Sequence, residues 1–522
     1  MAEARRRQRA PRSPDRAGGL TSPVSDNDAT GSAPGAALGG LGLAVVLGAQ
    51  AVVVLDFSIV NVALPDISSQ LHVSSTSVQW VVTAYAVTFG GLLVLGGRFA
   101  DLFGRRRLFV GGLIGFAIAS AAGGLAADFP VLVASRAVQG VAAAAVAPAA
   151  LSILTTSFHG PSRTRVLGYY GATASVGFVL GLVLGGVLVQ TGGWRAVFFV
   201  NVPICIVCAA VGRRAIPVGE RIGTRPHLDV IGACLVTAGM AALVYAPTAG
   251  VDNGWTSAPF LGAVALSGGL LAAFVRHEQR SPRPLLPMSI FRSRTLAAGD
   301  GITLLLGAWN AGEVLILSLY LQQVLGYSPL LTGLVVVPQG LAGLVRGAFG
   351  PSVVARFGLR RFLTASALIA AAGLGLLLRF PATSRYPLLG AVLFVVGMGT
   401  TSAAFAATVA GSGGVTDDEQ GLASALINAA RQVGAALGVA VLLSVAATST
   451  QGSTGSAAAL AGGYRTAMTV AAGLALVAAV ISVRFVGGRT RRGSIALGVS
   501  GGTNGNGIRR SRDVEKHPVL SS

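Results

Sequence analysis

The sequence predicts an all-α integral membrane protein with fourteen transmembrane helices, and three observations support this fold class. Charged residues make up 11% of the 522 positions, against roughly 25% in soluble globular chains, so the chain has too few charges to cover a water-exposed surface. Apolar segments of about 20 residues, the length that crosses the hydrocarbon core of a bilayer, recur along the chain. Basic residues are distributed unevenly among the segments that connect them.

Fourteen apolar segments, separated by polar connections, are the predicted spans. They lie at residues 37–64, 78–97, 108–127, 130–156, 166–189, 196–212, 228–247, 259–275, 296–321, 329–350, 362–379, 387–409, 421–446 and 465–486. The first segment follows basic residues, as a signal peptide does, but it is longer than the apolar part of a signal peptide and many more spans follow it. We therefore expect it to remain in the protein as the first span.

The basic residues favour one side of the predicted membrane. With a cytoplasmic N-terminus, 32 of the 39 basic residues fall in cytoplasmic segments and four at the outer ends of spans. The positive-inside rule predicts this asymmetry when both termini are cytoplasmic and the number of spans is even. The net charge of +20 therefore indicates topology and gives no reason to expect nucleic acid. Nearly all the basic residues are Arg, which is typical of a GC-rich genome, so we expect a bacterial cytoplasmic membrane.

An internal repeat divides the spans into two halves. Residues 96–107 follow the second span and residues 350–361 follow the tenth, at an offset of 254 residues. The matching pairs are Gly96 and Gly350, Phe103 and Phe357, Gly104 and Gly358, Arg106 and Arg360, and Arg107 and Arg361. Duplicated halves are a transporter architecture. We predict disordered cytoplasmic tails at 1–36 and 487–522, pseudo-symmetric six-helix halves at 37–213 and 295–486, and two inserted helices with their loops at 214–294.

Ionisable residues inside spans are costly in a bilayer, and for that reason they are functional candidates. Asp56 in the first span and Arg136 in the fourth are predicted at one depth, about 10–12 Å below the outer surface. Such a pair lets the carboxylate titrate against a competing cation, which is the basis of a proton switch. Gln139 extends the polar face of Arg136 and is a candidate for the substrate cavity. The alternative is a static ion pair that fixes helix packing.

Polar residues form stripes on two spans of the second half. Trp309, Asn310 and Glu313 share one face of the ninth span, and Asn428 and Arg431 share one face of the thirteenth. Either stripe is a candidate for lining a central cavity and contacting substrate, and Glu313 is a second candidate for proton coupling. A structural hydrogen-bond network is the alternative for both stripes.

Glycines repeat along the fifth span at a spacing that lets helix backbones approach closely. Gly177, Gly181 and Gly185 lie four residues apart, and Gly186 follows. Mere packing in a glycine-rich chain is the alternative to a functional role.

Several kinds of chemistry lack their residues in this sequence. No G-x-x-x-x-G-K-[ST] motif occurs, and the sole lysine is Lys516, which excludes an ATP-driven pump for this chain. The five histidines have no paired metal-ligand spacing, so we expect neither a metal nor a cofactor. Cys205 and Cys208 lie in an apolar run, without His or a carboxylate nearby, and are interpreted as small apolar residues. Transport would then use an ion gradient or run downhill.

Three motifs carry a resemblance to a known family. Residues 55–65, Leu-Asp-Phe-Ser-Ile-Val-Asn-Val-Ala-Leu-Pro, place Asp56 in the acidic position of a first-helix motif. Residues 97–106 resemble a loop motif between helices 2 and 3, and residues 136–140 resemble a fourth-helix motif. Together they resemble the fourteen-helix drug:proton antiporter branch of the major facilitator superfamily over nearly all of residues 37–486. The resemblance implies the major facilitator fold and a role in proton transfer for Arg136.

The resemblance also implies a gate on the cytoplasmic side. In the family, the loop motif helps to latch the two halves together there. The positions that match it here are Gly97, Asp101, Gly104, Arg105 and Arg106. Leu102 replaces the usual basic residue after the Asp, and Ala355 stands where the second copy would have Asp, so the second latch is expected to be weak.

The fifth-helix glycines resemble the antiporter motif of this branch, but Leu182 stands where that motif has Pro. We expect a proton-coupled exporter of amphipathic, cationic or zwitterionic organic compounds such as antibiotics. Its partners would be this small-molecule substrate, protons and the lipid bilayer, and it would work as a monomer. A proton-coupled importer or uniporter of a small metabolite is the alternative that Leu182 favours. A membrane-embedded enzyme is a remote alternative, because no catalytic constellation is visible.

Overall fold

Fourteen helices in the described part of the chain are long and apolar enough to cross a membrane, which confirms the predicted number. The computed structural model describes residues 38–158, 160–217, 229–282, 284, 286, 288–377, 386–412, 420–449 and 457–486. The predicted tails at 1–36 and 487–522 lie outside these residues. Within the described ranges the regular structure is helical, without β-strands.

The helices fall into two sets of six with a pair between them. The first half contains α1 (Gly40–Gln70), α2 (Trp80–Phe103), α3 (Arg105–Gly124), α4 (Phe129–Ser157), α5 (Gly160–Gly192) and α6 (Asn201–Ala215). The inserted pair is α7 (Val230–Asn253) and α8 (Ala258–Arg280). The second half contains α9 (Arg294–Leu319), α10 (Pro329–Phe357), α11 (Leu359–Leu377), α12 (Tyr386–Gly411), α13 (Gln420–Thr448) and α14 (Ala457–Phe485). One π-helical turn, Tyr320–Val324, extends α9.

Several helices are longer than the predicted spans. Helix α1 continues through Pro65 to Gln70, although its apolar run was predicted to end at residue 64. Helix α10 reaches Phe357, about two turns beyond its predicted end at 350. Hydropathy detects only the hydrocarbon core, whereas helical hydrogen bonding continues through the thicker headgroup region. The helices therefore extend beyond the apolar segments that hydropathy identifies.

The two halves use the same set of helix contacts. In the first half α1 packs on α5 and α6, α2 packs on α4, and α3 packs on α4 and α6. The corresponding pairs in the second half are α9 with α13 and α14, α10 with α12, and α11 with α12 and α14. Between the halves, α5 packs on α10 and α2 packs on α13. The contact pattern is therefore that of two repeated six-helix units joined through symmetry-related helices.

The repeat motif produces the same turn in each half. Gly104 between α2 and α3 has φ +89°, and Gly358 between α10 and α11 has φ +84°. These angles lie in the region that residues with a Cβ rarely adopt. The glycine of each copy is thus required by the backbone of a tight helix–helix turn.

Replacing Gly104 with alanine should destabilise the protein by about 1–3 kcal/mol, because a Cβ is strained at this positive φ. Gly111 on α3 is the matched control, since a Cβ built there meets nothing within 4 Å and its φ is that of a helix. Thermal unfolding of the purified protein in detergent measures both variants. Equal melting temperatures for Gly104→Ala and Gly111→Ala would contradict the strain argument.

The halves contact each other at one face of the bundle. We call the face where α1 begins and α14 ends the terminal face, and the other the opposite face. Near the opposite face, Ser318 Oγ donates to the Asn61 carbonyl at 3.1 Å and Gln322 Nε2 donates to the Val62 carbonyl at 3.2 Å. A Cβ on Gly186 of α5 would lie 2.5 Å from the Leu330 backbone of α10. The opposite face is therefore closed.

Toward the terminal face, α5 and α10 are no longer in contact with each other. A Cβ built on Gly168 or Gly171 of α5, or on Gly347 of α10, meets nothing within 4 Å. Tyr169 is exposed, whereas Leu182, farther along α5, is fully buried. The space between the halves therefore opens toward the terminal face.

The inserted pair is tied down at the terminal face. Asp229 accepts a hydrogen bond from the Gly232 amide at 2.8 Å and caps α7, and its carboxylate lies 2.8 Å from His277 Nε2 of α8. Burial opposes the charge on Asp229, but these two hydrogen bonds hold its pKa below the ordinary value. Glu278 accepts from the Leu286 amide at 2.8 Å, which anchors the connection to the second half.

Candidate functional site

The predicted pair of opposite charges is present at the centre of the first half. Arg136 Nη1 on α4 lies 2.6 Å from Asp56 Oδ2 on α1, and both side chains are fully buried. The guanidinium is also held by Val81, whose carbonyl accepts from Nε at 2.7 Å, and by the ring of Tyr85, 4.6 Å away. Because the pair is out of water, its attraction is much less screened than that of a surface pair.

Three further polar side chains complete a buried network around this pair. Gln139 accepts from Arg136 Nη1 at 2.7 Å and donates to Asp56 Oδ1 at 3.2 Å. Asn201 donates to the same oxygen at 2.8 Å. Ser120 accepts from Gln139 at 2.9 Å and from Asn201 at 3.2 Å. The network therefore joins α1, α3, α4 and α6, so a change of charge at Asp56 acts on four helices.

Two details of the sequence prediction change here. Helix α1 continues to Gln70, so Asp56 lies deeper from the opposite end of its helix than the predicted 10–12 Å. Gln139, predicted as a cavity candidate, has no exposed surface and belongs to the buried network. The contribution of Ser120 was missed, because a single Ser in an Ala-rich helix gives no pattern.

Glu313 is buried on α9, and no basic side chain of the described residues forms an ion pair with it. Gln339 Nε2 on α10 donates to its Oε2 at 2.8 Å, and both residues are almost completely buried. Oε1 of Glu313 has no hydrogen-bond partner among the described residues. The two carboxylates of the predicted proton pathway thus have different surroundings, since Asp56 faces a cation and Glu313 faces an amide.

The stripe on α9 is divided between the core and the interior space. Trp309 is fully buried, and its Nε1 donates to Thr400 Oγ1 of α12 at 3.2 Å. It therefore packs inside the second half and does not line a cavity, contrary to our prediction. Asn310 is half-buried. Sequence periodicity could not tell which of Trp309 and Asn310 faces the core, because α9 is buried on nearly every side.

The stripe on α13 contains an exposed cation. Arg431 is exposed, and its Nη2 donates to Asn428 Oδ1 at 2.5 Å. It also interacts electrostatically with Tyr170 of α5 in the other half. The Tyr170 hydroxyl donates to Gln50 Oε1 on α1 at 2.6 Å. These four residues come from α1, α5 and α13, on both sides of the space between the halves, and the cavity role of Asn428 and Arg431 stays a prediction.

One buried acid was overlooked in the sequence. Asp300 on α9 is only 8% exposed, and neither carboxylate oxygen has a hydrogen-bond partner among the described residues. It lies against Gly411 at the end of α12, where a Cβ would be 3.2 Å from its Oδ1. Its place four residues inside a predicted span could have identified it as a candidate.

The predicted gate motif is positioned at the terminal face. Gly97 and Asp101 lie in α2, where the side chain of Asp101 is outside the described part, and Gly104 forms the turn. Arg105 begins α3, and Arg106 Nη1 donates to the Ile216 carbonyl after α6 at 3.2 Å. The described contact of Arg106 is thus within the first half and does not join the halves.

The fifth-helix glycines serve close packing on two partners. A Cβ on Gly177, Gly181 or Gly185 would come within 3.0 Å of backbone oxygens of α1. Gly186 instead faces α10 of the other half. Leu182 is fully buried beside it, in the position where the antiporter motif has Pro.

These features define a class of protein: a multi-pass membrane transporter built from two repeated halves around an interior space. The sequence matches the Major Facilitator Superfamily over residues 46–439 and 315–501. The chain therefore belongs to this superfamily, which comprises transporters and not enzymes.

Similar proteins fall among the drug-efflux members of that superfamily. The chain is 39% identical over 466 residues to the puromycin resistance protein pur8 of Streptomyces alboniger, covering 86% of this chain and 92% of the relative. It is 41% identical over 414 residues to the cephamycin export protein CmcT of Amycolatopsis lactamdurans, covering 78% and 84%. The POT family transporter PepTSo has a similar fold, with a TM-score of 0.63 at 15% identity, covering 85% of this chain and 97% of that one.

Proposed function

We propose that this chain exports amphipathic organic compounds across a bacterial cytoplasmic membrane in exchange for protons, by alternating access. The observation that carries the proposal is the fully buried Asp56–Arg136 pair at the centre of the first half. A carboxylate held against a cation can gain or lose a proton as its partner moves, and buried charges of this kind mark proton relays. The similarity to a puromycin resistance protein and a cephamycin export protein supports the direction and the type of cargo.

The excess of basic residues near the terminal face supports a cytoplasmic position for this face. The described conformation, open at the terminal face and closed at the opposite face, is then the one that receives substrate from inside the cell. Both chain termini are cytoplasmic in the same arrangement.

Protonation of Asp56 would start the conformational return. A neutral carboxyl no longer balances the Arg136 guanidinium, 2.6 Å away in a site closed to water. Gln139 and Asn201 both donate to Asp56 Oδ1, and these bonds would weaken because a neutral carboxyl is a weaker acceptor than a carboxylate. Because these residues sit on α1, α4 and α6, their rearrangement alters the packing of the whole half. Glu313 provides a second protonatable site on α9.

Transport into everted membrane vesicles tests the direction and the coupling. We expect an acidic lumen to drive accumulation of a fluorescent drug, and a protonophore to abolish it. Accumulation driven only by a gradient of the opposite sign would indicate a proton-coupled importer. Equilibration that ignores the gradient would indicate a uniporter.

Alternating access predicts that Gly186→Ala shifts the conformational equilibrium. Its Cβ would press on the backbone of α10 at the closed face, at a cost of about 1–3 kcal/mol, enough to change the population ratio several-fold. Spin labels at the exposed positions Arg163 and Arg356, in a Cys234→Ser background, would measure the separation of α5 and α10 at the terminal face. In Gly186→Ala we expect a larger fraction of short distances between the two labels, because the conformation that is closed at the terminal face becomes more populated.

Gly171→Ala, on the open part of the same helix, is the matched control. It should leave the population of the described conformation unchanged or raise it, because its Cβ is crowded only where the terminal face closes. Identical distance distributions for Gly186→Ala and the parent protein would contradict the proposed movement.

A further inference from the structure

Arg431 is a charged residue in the membrane interior that faces open space. It lies on α13, which packs on α9 and α2, yet its side chain is exposed and interacts with Tyr170 on α5. Helix α5 packs on α1 and α10. An exposed residue that reaches from α13 toward α5 must therefore lie in the space between the two halves.

Gln50 and Tyr170 lie at the same depth in the membrane as Arg431, and with Asn428 they form one cluster. Gln50 is ten residues from the start of α1, Tyr170 is ten from the start of α5, and Arg431 is eleven from the start of α13. All three helices begin at the terminal face, so these side chains share a depth of about 15 Å. The cluster combines residues of both halves, as a binding site between moving halves requires.

The charge of Arg431 is not balanced by an acid in the described part of the chain. Within the residues that the structure describes, no carboxylate lies within ion-pair distance of its guanidinium. Asp300, the acid about one turn nearer the terminal face, is buried against Gly411 of α12. Asp56 is already paired with Arg136. An unpaired arginine at this depth is costly and needs an anion from outside the chain.

Hydrogen-bond donors also exceed acceptors in this cluster. Arg431 has five N–H groups, of which Asn428 accepts one. The Tyr170 hydroxyl donates to Gln50 Oε1, and this leaves the NH₂ group of Gln50 available as a donor. A planar guanidinium beside an amide donor matches a carboxylate or phosphate, which accepts several bonds and supplies the charge.

We infer that Arg431, with Asn428, Tyr170 and Gln50, forms an oxyanion site that binds a carboxylate of the exported compound. The inference rests on the proposed function and narrows its substrate class to compounds that carry an anionic group, including zwitterions. Purely cationic compounds would bind less tightly. An anionic lipid headgroup offers the same chemistry and is the other source of an oxyanion.

Equilibrium binding of two matched dyes tests the site. Tetramethylrhodamine and its methyl ester share one cationic ring system and differ in a single carboxylate. Fluorescence anisotropy would measure both on the full chain in phosphatidylcholine nanodiscs. We expect the free acid to bind roughly tenfold more tightly than the ester, and Arg431→Gln to remove this preference. Arg431→Lys should retain part of it, because the charge remains without the planar fork.

Arg346→Gln is the matched control, since Arg346 is another arginine within the second half that stacks on Phe405, 5.1 Å away. It should leave the preference for the free acid intact. If the parent protein binds the two dyes with equal affinity, whether weakly or tightly, the proposed oxyanion site is wrong. So would a preference that survives Arg431→Gln.

Nanodiscs that contain phosphatidylglycerol separate the two sources of the oxyanion. A preference that persists in this lipid supports a carboxylate of the compound as the ligand, whereas its loss would assign the site to the lipid headgroup and overturn the inference. Vesicle transport distinguishes failure of the proposed function. Proton-driven export at equal rates for compounds with and without a carboxylate would refute the oxyanion site but not the proposed function. Carboxylate-selective binding without proton-driven export would refute the proposed function but not the site.

Discussion

Asp56→Asn should abolish proton-driven export and leave a protein that still inserts in the membrane. The substitution keeps the shape of the side chain but removes the only acid paired with Arg136 in the buried network. Leaving a buried cation unpaired costs about 3–5 kcal/mol, so lower stability is also expected. Drug accumulation in everted vesicles at a fixed proton gradient measures the loss, and quantification of the protein in the membrane measures insertion.

Asp66→Asn is the matched control on the same helix. Asp66 lies nearer the opposite face, where it accepts from the Trp194 amide at 3.1 Å and from Gln70 at 3.0 Å. An asparagine keeps one of these two bonds through its single carbonyl oxygen and leaves the Asp56 network untouched, so export should be close to that of the parent protein. A loss as large as that of Asp56→Asn would indicate a general effect of removing charge from α1.

The double variant Asp56→Asn with Arg136→Gln separates proton coupling from a static ion pair. Removing both charges eliminates the unpaired cation and should restore much of the stability lost in the single variant. If the pair only fixes helix packing, export should return together with stability. We expect stability without proton-driven export. Recovery of both would show that Asp56 does not carry the transported proton.

The number of spans and the Asp56–Arg136 pair could be predicted because the bilayer leaves few alternatives. A span needs about 20 apolar residues, and charges inside spans are rare and seek each other. The turn at Gly104 could be predicted as a repeat from its match with Gly358, although its positive φ could not. Composition and spacing thus identified the elements and their charged residues.

Side-chain direction around helices that are buried on most sides could not be predicted. Trp309 and Asn310 are neighbours on α9, yet the first is in the core and the second half-exposed. Ser120 joins the Asp56 network because α3 presents it to α4 and α6, and this depends on helix rotation. Gln339 was missed as the partner of Glu313 for the same reason. Helix rotation is set by the packing of the whole bundle, which local periodicity does not contain.

Glu313→Gln should reduce proton-driven export by roughly tenfold or more, with drug binding retained. Glutamine preserves the shape of the side chain and can accept the hydrogen bond that Gln339 donates to Oε2 at 2.8 Å. It cannot take up or release a proton at the operating pH. Initial rates in everted vesicles across a series of imposed gradients measure the coupling, and equilibrium binding to the purified protein measures drug affinity.

Gln339→Ala distinguishes a coupling role of Glu313 from a structural one. This variant removes the hydrogen bond to Glu313 but keeps its titratable carboxyl group, so export should still respond to the proton gradient. If Glu313 only stabilises the packing of α9 on α10, both variants should lower stability and export alike. If Glu313 carries a proton, the slope of export rate against the imposed gradient falls in Glu313→Gln alone. The difference in slope between the two variants therefore assigns the second carboxylate to the transport cycle or to the fold.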